Sequence, residues 1–127
     1  MAVRLTIDVK QRLVVSTFSC EINDAEVLDH ISVIGSQPDF DPSCSEIVDF
    51  SGITAGRIST FAVQELSQRA SIFNPASIHV IVAPQDFVFG LARMSQVFAE
   101  KTKPNLAVVR TIAETRKFLR LEQPAPD

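Results

Sequence analysis

Ile78-His79-Val80-Ile81-Val82-Ala83 is the stretch that decides the fold. Apart from His79 it is apolar on both faces, and Pro84 stops it. A strand covered on both sides reads as a continuous apolar run, which is the habit of a central strand in a parallel α/β sheet. Leu106 to Val109 repeats the pattern on a smaller scale. Between them Phe87, Gly90, Leu91, Met94, Val97 and Phe98 recur at helical spacing and predict one buried stripe. Asp86 stands where it can cap that helix. Lys101 and Lys103 follow its end, where positive charge suits the helix dipole.

Upstream, Ile47-Val48-Asp49-Phe50 predicts a short strand broken by Ser51-Gly52. A helix is expected next, carrying Ile58, Phe61, Ala62, Leu66, Ala70 and Phe73, with Asn74-Pro75 closing it. Asn23 and Glu26 form a capping pattern for an earlier helix. That helix presents Val27, Leu28, Ile31 and Ile34 on one face and ends near Gly35 and Pro38. His30 is expected opposite that face, in water. Phe40, set between Pro38 and Pro42, is expected to plug the core edge, with a partner contact as the alternative.

At the start, Val3, Leu5, Ile7 and Val9 alternate with polar residues, the period of a half-buried strand. Leu13 to Cys20 follows after a short polar break and should pair with it as an antiparallel hairpin. At the far end Thr111 and Glu114 make a second capping box, and a last helix is expected to about Leu121. Residues 122–127, with Pro124 and Pro126, read as a frayed tail. The order is ββαβαβαβα. Right-handed crossovers then make the later strands parallel. The expectation is one domain over residues 1–127, a mixed five-stranded sheet with four helices.

Composition narrows the function. The 127 residues are 46% hydrophobic and 21% charged, with a formal net charge of −3. The basic residues are scattered rather than gathered in a stripe, which argues against nucleic-acid binding. No apolar run is long enough to span a bilayer. Cys20 and Cys44 match no metal spacing. Free thiols and no secretory signal point to the cytoplasm.

No catalytic signature is present. There is no Gly-x-Ser-x-Gly elbow, no phosphate-binding glycine loop and no carboxylate pair of glycosidase type. His79 reads as a hydrogen-bonded side chain on the sheet face, with a catalytic base as the alternative. A thiol dyad would require Cys20 to approach His79. No cofactor is implied.

Three segments carry a family resemblance: Arg12 to Ser19, Pro38 to Phe50, and Ala83-Pro84 with Phe89-Gly90-Leu91-Ala92-Arg93-Met94. Through them the chain resembles the bacterial SpoIIAA-like family, related to the STAS domains of anti-sigma-factor antagonists and to Sec14-type domains. The resemblance implies a non-enzymatic regulatory or protein-interaction module. The Sec14 side implies instead a site for a small apolar or anionic ligand. Antagonist domains carry a phosphorylatable Ser or Thr at the start of the helix after the third strand. Here that stretch reads Thr54-Ala55-Gly56-Arg57, without the motif's Asp and with no hydroxyl at the expected position. Thr54, Ser59 and Thr60 are substitutes. Ser51 reads as a turn residue bonding local backbone.

Open α/β sheets bind ligands beyond the carboxyl ends of their strands. The candidate ligand or partner edge is therefore Asp49, Ser51, Thr54, Arg57, Pro84, Asp86, Phe89 and Arg93. Phe89, off the stripe that begins at Phe87, suits a contact with a protein partner or apolar ligand; partial burial against a loop is the alternative. Phe89 or Val33 could also join two copies as a homodimer.

Overall fold

A computed structural model describes residues 2–68 and 71–119. Strand β1 (Ala2–Asp8) pairs antiparallel with β2 (Leu13–Asn23), Val3 facing Phe18 and Ile7 facing Val14. Then come α1 (Asp24–Gly35), β3 (Ser45–Arg57), α2 (Thr60–Gln68), β4 (His79–Val82), α3 (Asp86–Phe98), β5 (Leu106–Val109) and α4 (Ile112–Leu119). The sheet order is β1-β2-β3-β4-β5, and every pair after the hairpin is parallel. The expected ββαβαβαβα order and mixed sheet are what the structure has. The expected positions of Ala70, Leu121 and the 122–127 tail lie outside the described residues.

The strands step across the sheet in one direction, so right-handed crossovers place α1, α2 and α3 on one face. Helix α4 covers the other, where Leu119 packs against the cluster of Leu13, Ile47, Val80, Val82 and Val109. The alternation of side chains then separates two interiors. Under α1–α3 lie Phe18, Ile22, Ile53, Val88 and Ala92, with Val48 and Ile81 packed against them. A third cluster of Val14, Ile34, Cys44 and Phe73 closes one end, and Phe40 meets Phe73 edge-on at 5.3 Å between ring centroids.

Local chemistry explains the joints. Asn23 accepts a hydrogen bond from the Glu26 N–H at 3.0 Å and donates through Nδ2 to Glu26 Oε1 at 3.0 Å, the reciprocal box expected there. Ser59 caps α2: its Oγ accepts from the Ala62 N–H at 3.0 Å and donates to Asp24 Oδ2 at 2.7 Å. The Ser59 N–H also donates to Asp24 Oδ1 at 2.7 Å, and that bond, with the one from the hydroxyl, holds the Asp24 carboxyl below its usual range. Gly56 is needed where β3 passes β2, since a Cβ there would stand 2.9 Å from Ile22 Cγ1.

Several expected details change. Strand β3 does not stop at Phe50: it bends past Ser51-Gly52 and pairs with β2 as far as Arg57. Helix α2 therefore starts later, and Phe73 lies beyond it in the core. Phe61, expected on the buried stripe, is 69% exposed. In α3 the inward face is Val88 and Ala92, followed by Ala99, while Phe87 and Val97 face out at 45% and 66% exposure. The cap position of α3 is Gln85, not Asp86, and its side chain makes no cap bond.

Candidate functional site

The sheet register brings an unexpected pair together. Across the face under α1–α3, Ile7 pairs with Val14, Val14 with Glu46, Glu46 with His79, and His79 with Leu106. One row of apolar residues thus carries an acid and a histidine at its centre. Both are buried, and His79 Nδ1 donates to Glu46 Oε1 at 2.7 Å. Phe73 sits edge-on to the His79 ring, 4.9 Å between centroids. Burial is the largest single influence on the Glu46 carboxyl and pushes it up, but the His79 hydrogen bond and the electrostatic pull of Lys103, His79 and His30 together outweigh it, and the net shift is downward. The carboxyl is therefore ionised inside the fold.

The neighbouring row holds a second polar pair. Ser16 faces Val48 in the ladder and is fully buried. Helix α1 lays His30 over it, with Nε2 sharing a hydrogen with Ser16 Oγ at 2.6 Å. Phe18 stands edge-on to the same imidazole at 4.9 Å. This corrects the expectation that His30 faces water. Burial holds its pKa below the usual range, against the opposing pull of Glu46 and Asp29, so the ring is neutral near pH 7.

Between these pairs and the helix layer lies a cavity of about 110 Å³. Its sheet side is Phe18, Val48, Phe50 and Ile81, and its helix side includes Val27 and Ile31 of α1, Val63 and Leu66 of α2, and Leu91 and Ala92 of α3. The lining is almost wholly apolar. The polar exceptions are His30, Glu46, Ser95 and Lys103. Ser95 Oγ is engaged with Ser67 Oγ at 3.0 Å. Lys103 follows α3 and is half-buried, with its backbone N–H bonded to Ala99 at 2.8 Å. Glu46, His30 and Lys103 thus set three ionisable groups against an apolar interior.

A Ser–His pair invites a nucleophilic reading, which the geometry does not support. Ser16 has no exposed surface and does not line the cavity, so no substrate atom can reach its hydroxyl. The thiol dyad also fails: Cys20 pairs with Ile53 near the far end of the ladder from Glu46 and His79, and it is exposed. Among the described residues no group of three or more His, Cys, Asp and Glu is placed to hold a metal ion. No helix there is long and apolar enough to cross a membrane.

The carboxyl edge is arranged differently. Asp49 Oδ1 accepts from the Ser51 N–H at 2.9 Å and from Ser51 Oγ at 2.6 Å, so the Ser51 hydroxyl serves a side chain and not local backbone. Thr54 is exposed on β3, and Arg57 ends that strand opposite Asn23. Arg110 gathers three of the expected residues. Its NH1 donates to the Pro84 carbonyl at 3.0 Å and to Asp86 Oδ1 at 2.8 Å, and its guanidinium lies 3.8 Å from the Phe89 ring centroid. Arg93 turns along the surface of α3 to Gln96 Oε1 at 2.9 Å. The structure thus brings Pro84, Asp86 and Phe89 together and leaves Arg93 apart. Ser59 caps the helix after β3, so a hydroxyl does stand at its N-terminus, held by Asp24.

Sequence reasoning missed Glu46, Lys103, Arg110 and the inward turn of His30. A signal existed for His30, which falls three residues after Val27 and four before Ile34. One existed for Glu46 too, because a histidine inside an apolar central strand needs a polar partner. No protein-family model and no curated protein matches the chain.

Proposed function

We propose that this domain is a non-catalytic binding module that holds a small, largely apolar molecule in the cavity between its sheet and α1–α3. The observation that carries the reading is the cavity itself, about 110 Å³ with an apolar lining and ionisable groups confined to Glu46, His30 and Lys103. An apolar cavity of roughly 150 Å³ stays dry and binds benzene. The volume here suits a body of similar or slightly smaller size, such as a single ring or a short branched chain. The SpoIIAA-like, Sec14-type resemblance agrees with a ligand-carrying role, as does the N-terminal hairpin followed by parallel strands.

Titration with toluene tests this reading, followed by amide and methyl NMR shifts. We expect saturable shifts at Phe18, Ile81 and Leu91. Ala92→Leu, which places three more carbons in the cavity, abolishes them while leaving the melting temperature equal or higher. Absence of saturable shifts in the parent protein near the solubility limit of toluene refutes the proposal.

A second reading has its own observation. Phe61 and Phe87 stand exposed in the first turns of α2 and α3, which start from the same sheet edge. Large exposed aromatics on adjoining elements suit a regulatory contact with another protein. The Phe61→Ser, Phe87→Ser double variant would lose a partner recovered by the parent protein; equal recovery removes this reading.

A further inference from the structure

The cavity's polar end indicates what its occupant carries. Ser95 Oγ and His30 Nε2 are engaged with Ser67 and Ser16. Glu46 keeps more unused capacity. An ionised carboxylate has about four acceptor sites, and the His79 N–H takes one of them. Lys103 is the complement. Its ammonium carries three donors and makes no hydrogen bond or ion pair of 4 Å or less among the described residues, yet it lines the same cavity and acts on the Glu46 charge. An acceptor group and a donor group therefore border one apolar space without bonding each other.

Charge narrows the choice. An anionic head gains from Lys103 but is repelled by the buried Glu46 carboxylate. A cationic head meets the converse. Either ion also has to leave water for an apolar chamber, a large cost. A neutral hydroxyl has one hydrogen to donate and lone pairs to accept, so it satisfies both residues at once.

We propose that the occupant is a small neutral alcohol or phenol, its apolar body against Phe18, Val48, Ile81 and Leu91 and its hydroxyl bridging Glu46 and Lys103. This rests on the binding reading above and names the chemical class it selects.

Phenol and toluene, which match in size, form the test. Their affinity ratio is measured at pH 7.5 by NMR titration in the parent protein, in Lys103→Met and in Glu46→Gln. A hydrogen bond to a charged group commonly corresponds to about a tenfold change in affinity. We expect the phenol-to-toluene ratio to fall about tenfold in either variant, with toluene binding nearly unchanged. Lys103 is half-buried and follows the helix, so its substitution keeps the test valid if Glu46→Gln fails to fold. An unchanged ratio in Lys103→Met overturns the hydroxyl assignment while leaving an apolar site in place. Failure of both probes to bind the parent protein overturns the assignment together with the binding reading.

Discussion

The carboxyl edge and the interior of this domain use similar residues to opposite effect. At the edge, Arg110 is bonded to Pro84 and Asp86 and stacked on Phe89, and Ser51 is bonded to Asp49. Each of these groups has found a partner. In the interior, Glu46 and His79 satisfy one another only in part, and Lys103 lines the same chamber without bonding to either. The general expectation for open α/β sheets favours the edge. Here spare hydrogen-bonding capacity and empty volume coincide in the interior instead. Residue type alone does not mark a site; unspent capacity beside accessible space does.

The comparison can be broken most forcefully at Glu46. Removing one partner of a buried charged pair typically costs about 3–5 kcal/mol, so Glu46→Ala should lower unfolding free energy by about that much in urea denaturation. The counterpart at the edge is Asp86→Ala. Asp86 is almost fully exposed, and surface pairs contribute about 0–1 kcal/mol, so this change should be barely measurable. Equal losses at the two positions would erase the distinction drawn here.

Acid offers a finer version of the same comparison. His30 and Glu46 both have folded pKa values below their unfolded ones, 6.5 and 4.5. A group depressed in this way stabilises the fold above its unfolded pKa and loses that contribution as pH falls through the folded value. Stability should therefore begin to decline below about pH 6.5 through His30 and fall more steeply below about pH 4.5 through Glu46. Urea midpoints from pH 8 to pH 3.5 check both steps. His30→Gln should remove the upper step alone. A flat profile between pH 7 and pH 5 would show that His30 is not buried as described. At the Asn23 cap, Asn23→Ala should cost about 1 kcal/mol.

Much of the frame was legible because local rules and tertiary structure agree. The alternating Val3–Ile7 run, the Asn23–Glu26 box, the apolar β4 and Leu106–Val109 form what their patterns predict, while Val9 falls in the turn after β1 and is exposed. In helix α3 size does not follow burial. Phe87 and Val97 face outward, while Val88 and Ala92, followed by Ala99, face inward. The short Ala92 side chain leaves room beneath the helix, where the cavity lies. A Ser-Gly pair such as Ser51-Gly52 usually ends a strand, whereas here the ladder shifts register and β3 continues. The site was less legible for a physical reason. Glu46, His79, His30 and Lys103 come from two strands, a helix and a loop, and only strand register and helix docking bring them together. The edge residues, being close in sequence, were easier to see.

The central claim is that the interior chamber, and not the edge, receives a ligand. Intermolecular NOEs between saturating toluene and the methyl-labelled protein test it most directly. The account predicts NOEs to Ile22, Val48, Ile81 and Leu91 that vanish in Ala92→Leu. NOEs confined to residues around Phe61, Phe87 or Phe89, or none at all, would contradict it.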